Sequence, residues 1–196
     1  MVRSERERLS GAVEVDETIV GGVERGGKRG RGTSKPIVVI AVEVKEAKGF
    51  GRVRMRHVPD ASGANLQPFI CDVVAQGANV RTDGWTGYNG LSKHRYLHER
   101  IVLSSSGDPA HVSMPGVHRI ASLLTRWIVG THHGSVIPAH LQSYLAEFTF
   151  RCNRRNSRSR GLVFRCHIEH SMGTGPTTEA EVTFGYDWSR NHGRRS

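Results

Sequence analysis

The sequence predicts an α/β domain: a mixed five-stranded sheet flanked by helices. Three observations carry that reading. Three β-branched runs follow one another near the start of the chain, an amphipathic stretch separates them from a fourth short run, and two further helical stretches come after a fifth. A βββαβ order makes the first three strands an antiparallel meander and returns the chain through a helix to a mixed sheet.

Val13, Val15, Ile19 and Val20 mark the first strand, which Gly21-Gly22 ends. A basic, glycine-rich loop follows (23–34), and Pro36 introduces a second strand, Ile37 to Val44. Gly49 and Gly51 turn the chain into a third, Arg52 to Val58. Asn65 is the expected N-cap of the first helix, with Pro68 in its first turn and Gly77 at its stop. Leu66, Phe69, Ile70, Val73 and Val74 recur at helical spacing and should lie on the sheet. Asn79 to Thr82 reads as a short buried strand delivering Asp83, Tyr96 to Leu103 as the fifth strand, and Ser104 to Gly116 as a polar loop. Val117, Ile120, Ala121, Leu124 and Ile128 give the next helix its apolar face. The last helix starts at Pro138 and should bury Leu141, Tyr144, Leu145 and Phe148. Beyond Cys166 the periodicity fades, and no stable structure is expected there.

The chain has 196 residues, enough to bury one sizeable core, and its 28 Lys and Arg exceed its 18 Asp and Glu to give a formal charge of +10. That balance favours a polyanionic partner, nucleic acid ahead of a membrane surface. The charge is clumped. Arg25, Lys28, Arg29, Arg31 and Lys35 lie in or beside the glycine-rich loop, and Arg151, Arg154, Arg155, Arg158, Arg160 and Arg165 crowd one later segment. Such blocks suit phosphate backbones and salt-sensitive binding, which position a nucleic acid without reading its sequence. Cys71, Cys152 and Cys166 are odd in number and far apart, which points to reduced thiols in a cytoplasmic setting rather than a disulfide framework or zinc ribbon. The longest apolar run, Ile37 to Val42, is too short to span a bilayer, and MVRSERERLS lacks the apolar core of a signal peptide.

Two aspartates stand out: Asp16 in VEVDETIVGG and Asp83 in VRTDGW, each at or near the end of an apolar strand. A carboxylate at a strand end is aimed at one spot, so two from different strands can share a metal ion. The competing use is a turn cap for each.

Between Ala12 and Phe164 the chain resembles the DDE-type insertion-sequence transposases of the ISXO-like group. The matching stretches are VEVDETIVGG, the basic loop, VPDASGANLQPFI, TDGWTGYNGL and LLTRWIVGTHHGSVIPAHLQSYLAEFTFRCNRR. The resemblance implies an RNase H-like catalytic domain over 11–165, between an N-terminal remnant (1–10) and a C-terminal tail (166–196). It implies DNA strand cleavage and strand transfer dependent on Mg2+ or Mn2+, with transposon ends and target DNA as partners and a possible homodimer on DNA. Asp16 and Asp83 would be catalytic metal ligands. Counting back from LLTR, the third ligand falls on His118, 35 residues after Asp83, where relatives carry Glu or Asn. An imidazole there is softer than a carboxylate and shifts preference from Mg2+ towards Mn2+ or a later metal.

A lysine usual seven residues further on is replaced by Thr125, which leaves Arg126 or Arg119 to make its phosphate contact. Relatives usually carry a zinc ribbon and helix-turn-helix before the core, whereas only about eleven residues precede the first strand here, so specific recognition of transposon ends is expected to be missing unless another chain supplies it. Two alternatives stay open: a truncated, inactive DNA-binding relic, and an RNase H-like nuclease of another substrate. Glu147 is a competing carboxylate whose expected use is a structural ion pair with a nearby Arg. GVERGGK mimics a P-loop, but Arg29 stands where Ser or Thr must hold Mg2+. His132, His133, His140, His167 and His170 lack partners at zinc-site spacing; with Trp127 and Tyr144 they are expected to pack at a helix junction.

Overall fold

A computed structural model describes residues 7–21, 35–45, 49–101, 113–132 and 138–159, with Gly161, Phe164, Arg165 and Ile168. The strands are β1 (Ala12–Ile19), β2 (Ile37–Lys45), β3 (Gly49–Val58), β4 (Asn79–Asp83) and β5 (Leu97–Ile101). The helices are α1 (Gly63–Val73), α2 (Pro115–His132) and α3 (Pro138–Asn153). The sheet order is β3-β2-β1-β4-β5. β1, β2 and β3 form the expected antiparallel meander, while β4 runs parallel to both β1 and β5. This is the mixed five-stranded sheet with flanking helices of an RNase H-like domain.

β2 is apolar almost throughout because both of its faces are covered. Ile37, Val39 and Ala41 join Val13, Val15, Leu66, Phe69 and Ile70 in a core beneath α1. Val38, Ile40 and Val42 join Val117, Ile120, Leu124, Leu141 and Leu145 in a second core beneath α2 and α3. Leu9, wholly buried, extends the first core, and its backbone bonds on either side of Val74 tie the chain before β1 to the end of α1. β3 lies at one edge of the sheet, where unpaired backbone groups invite association. Side chains of α3 occupy them: Asn153 accepts from the Val53 N–H at 2.7 Å and donates to its carbonyl at 3.1 Å, and Gln142 accepts from the His57 N–H at 3.0 Å.

α1 begins three residues earlier than Asn65 as N-cap would set it. The Asp60 carboxylate accepts the Ser62 N–H at 2.8 Å and the Asn65 side-chain amide at 2.9 Å, so the turn is organised upstream and Ser62 becomes the N-cap. Pro68 therefore falls inside the helix rather than in its first turn, and the helix ends at Val73, ahead of Gly77. α2 likewise starts at Pro115, within the segment expected to be loop. Residues 102–112 and nearly all of the tail lie outside the described residues. Among the described residues, no helix is long and apolar enough to cross a membrane.

Candidate metal centre

Parallel strands deliver their C-terminal ends to the same side of a sheet. The register of β1 and β4 closes with Val15 opposite Thr82, so Asp16 and Asp83 are the next residue on each strand. With Glu17 they form a cluster in which one carboxylate oxygen from each lies within 4.8 Å of the other two. All three side chains are partly exposed. Three acids so close repel one another, and hard oxygen donors in this arrangement suit a divalent cation.

Local hydrogen bonds orient the acids. Asp16 Oδ1 accepts the Glu17 N–H at 2.8 Å, and Asp83 Oδ1 accepts the Trp85 N–H at 2.9 Å in an Asx-type turn. Glu17 Oε2 accepts the Tyr88 hydroxyl at 2.6 Å. Tyr88 is 0% exposed, its ring in the core beneath α1. Burial, and then the charges of Glu17, Asp16 and Asp83, push its phenol well above the ordinary value, so the hydroxyl remains a donor. The Trp85 indole N–H, bonded to the Ala61 carbonyl at 2.7 Å, fixes this loop against the start of α1. Gly87 is required there, since a Cβ would lie 2.6 Å from the Ala61 carbonyl oxygen.

A buried acid sets the place of α2. Glu14, on the face of β1 that also carries Asp16, is 1% exposed and accepts the Val117 N–H at 2.9 Å. Burial raises its pKa, while the Val117 and Gly116 N–H groups and the charge of Arg81 pull it back. The carboxylate thus meets orphan N–H groups at a helix N-terminus, where negative charge is favoured. Gly116 permits the approach: its Cβ would fall 2.8 Å from Glu14 Oε2 and 3.0 Å from the Phe50 ring.

His118 follows Val117 on α2, partly buried, and lines an open hollow with Thr18, Ala121, Ser122, Thr125 and Arg126. Thr18 stands two residues along β1 from Asp16, so the hollow adjoins the acids. The Thr125 hydroxyl turns back onto the Ala121 carbonyl at 3.0 Å. His118 is not one of the three clustered donors; beside the two aspartates stands Glu17. Glu17 does not stand out in the sequence, because neighbouring strand residues ordinarily face opposite sides. The DE pair at a strand end, with TGY downstream, was the available signal.

A profile for the ISXO2-like transposase domain matches residues 8–153, from just before β1 to the end of α3. The chain belongs to that family. No curated protein matches it. A transposase domain implies DNA as its partner, and the family's use of divalent metal agrees with the acidic cluster.

The basic residues expected at the transposase's DNA surface fall into different settings. Arg25, Lys28, Arg29, Arg31 and Arg160 lie outside the described residues. Lys35 packs across Gly21, and Arg119 and Arg126 are exposed on α2, Arg126 beside His118 in the hollow. Arg151 pairs with Glu147 at 2.8 Å, the ion pair expected of that glutamate. Arg154 lies 3.9 Å from the centroid of the Phe150 ring. Arg155 donates to the Phe50, Gly51 and Cys152 carbonyls, fastening the end of α3 to β3. Arg158 and Arg165 are exposed. At the helix junction, Trp127 packs on Phe148 with centroids 5.6 Å apart, and His140 on Tyr144 at 6.5 Å. His133, His167, His170 and the His132 side chain lie outside the described residues.

Proposed function

We propose that this transposase domain cleaves DNA and transfers the freed 3′ end to a target strand, in a reaction dependent on Mg2+ or Mn2+. The observation that carries the reading is the convergence of Asp16 and Asp83 just beyond the last paired residues of the adjacent parallel strands β1 and β4, with a third carboxylate beside them. A bound divalent cation would supply activation of the attacking oxygen and stabilisation of the leaving one. Asp16 and Asp83 hold it with hard oxygen donors, and His118 is the donor offered from α2.

Arg126 in the hollow and Arg119, exposed on the same helix, hold the phosphate backbone. Lys35 extends that grip with the loop cations Arg25, Lys28, Arg29 and Arg31. Arg151, Arg154, Arg155, Arg158 and Arg160 supply a second basic surface. These are backbone contacts, so base readout is not expected from them. The domain works in the cytoplasm, as a homodimer that pairs two DNA ends.

The test is nicking of a labelled duplex with Mg2+ or Mn2+ by the wild-type chain, Asp16→Asn, Asp83→Asn and His118→Ala. Each aspartate variant should lose about 10³-fold or more in rate, equivalent to several kcal/mol of transition-state stabilisation. His118→Ala should lose less. Equal nicking by all four would reject the assignment, and metal-independent binding without cleavage by any would identify a DNA-binding relic.

A further inference from the structure

We propose that Glu17 is a third carboxylate donor of the divalent-cation site, and that Tyr88 is the positioning residue that holds it there. The inference rests on the transposase reading above, in which Asp16 and Asp83 hold the cation.

A third acid can come from few places in this fold. α2, the element expected to carry it, contains no Asp or Glu between Pro115 and His132. Glu147 on α3 pairs with Arg151 at 2.8 Å. Glu14 lies on the correct face but is buried against the Val117 N–H. Among the described residues, Glu17 is the acid whose oxygen comes within 4.8 Å of both Asp16 and Asp83.

Its approach needs a physical cause, because Asp16 and Glu17 leave β1 on opposite faces. Asp16 stands opposite Ile40, whose side chain belongs to the core beneath α2 and α3; Glu17 stands opposite Val39, which belongs to the core beneath α1. The pairing of β1 with β4 stops at Val15, so beyond it the two faces communicate around the end of β4. Tyr88 fixes the outcome from the α1 side. Its ring is locked in the core, and its hydroxyl meets Glu17 Oε2 at 2.6 Å.

A carboxylate offers about four lone-pair sites, so this bond leaves Glu17 able to bind a cation as well. A donor that orients a ligating carboxylate is a recurrent second partner of metal sites. A third hard oxygen also offsets the softness that His118 would bring, favouring Mg2+ or Mn2+ over later metals.

The rival is a purely structural Glu17 that serves only to satisfy a buried phenol. Glu17→Gln separates the two, because its amide oxygen still accepts from Tyr88 while the charge is gone. Mn2+ binding to the full chain is measured by titration calorimetry or electron paramagnetic resonance, with thermal melting in parallel, for wild type, Glu17→Gln, Tyr88→Phe, Asp16→Asn and Asp83→Asn. Tyr88→Phe is expected to weaken Mn2+ binding about tenfold, as loss of an orienting partner does. Glu17→Gln should weaken it further with its melting temperature retained. Should Glu17→Gln melt early, Glu17→Asp replaces it, keeping the charge but shortening its reach, and it too must bind Mn2+ more weakly.

Wild-type affinity in the Glu17 variants alongside loss in Asp16→Asn overturns the inference and leaves the transposase reading intact. Wild-type affinity in both aspartate variants, or no Mn2+ binding by the wild-type chain, overturns both.

Discussion

The two ends of β1 lie beside acids in opposite environments. Near its start, Glu43 stands opposite Val13, is 5% exposed, and receives the Arg52 guanidinium at 2.6 Å, the Arg52 N–H at 3.0 Å and the Ser10 N–H at 3.1 Å. Near its end, Asp16 and Glu17 lie with Asp83 within 4.8 Å, acid against acid and partly exposed. Like charges about 4 Å apart repel by roughly 1 kcal/mol in water and about 4 kcal/mol near a protein surface. An acid used for architecture is enclosed by donors until its charge is met. An acid cluster that keeps its repulsion is left open to a cation, so one fold shows both arrangements on a single pair of strands, β1 and β2 with β4 beside them.

The largest effect that sharpens this contrast is on stability. Arg52→Ala strands Glu43 in the sheet and should cost about 2–3 kcal/mol, at the low end for a broken buried pair because Arg52 is partly exposed. Asp16→Asn, which removes one of three clustered charges, should leave stability unchanged or raise it while abolishing nicking. Urea unfolding of the two variants side by side measures the difference; a large loss of stability in Asp16→Asn would break the contrast.

Gly116→Ala comes next. The added Cβ meets Glu14 Oε2 at 2.8 Å and the Phe50 ring at 3.0 Å, so α2 must shift outwards, at about 1–3 kcal/mol for an overpacked contact. Since His118 is two residues on, nicking should fall more than the stability loss alone explains. Nicking measured well below the melting temperature isolates that component.

The antiparallel part of the sheet was legible in the sequence because β1 and β2 are β-branched runs and glycine and proline punctuate the meander, a pattern that local chemistry dictates. The start of α1 was not, because Asp60, outside the helix, organises its first turn through Ser62 and Asn65. Asp16 and Asp83 were legible as a pair because strands rich in apolar residues aim their few carboxylates. Glu17 was not, since its approach depends on where β4 stops and on a tyrosine 71 positions away. Glu14 and Glu43 were also silent. Nothing in VEVDE or AVEVK says that one acid will hold a helix N-terminus and the other an arginine, because both partners arrive through tertiary packing.

Those two glutamates give the smallest and most specific effect, through pH. Burial pushes the Glu43 carboxyl up, but the Arg52 hydrogen bonds and charge and the Ser10 N–H more than reverse it, leaving its pKa below the usual 4.5. The stability Glu43 contributes is therefore present above pH 4.5 and is lost as pH falls through its folded value. Glu14 is the opposite case: burial leaves its pKa above 4.5, so its contribution is present below that value and lost as pH rises through the folded one. Unfolding midpoints followed from about pH 3 to 7 should show Glu43→Gln less stable than wild type at neutral pH and converging with it in acid. Glu14→Gln should instead gain on wild type as pH rises, because the amide keeps an acceptor for the Val117 N–H without placing a charge in the core. If both variants moved in the same direction, the charge state of Glu14 would matter less than its contact with α2, and the clamp on that helix would be steric rather than electrostatic.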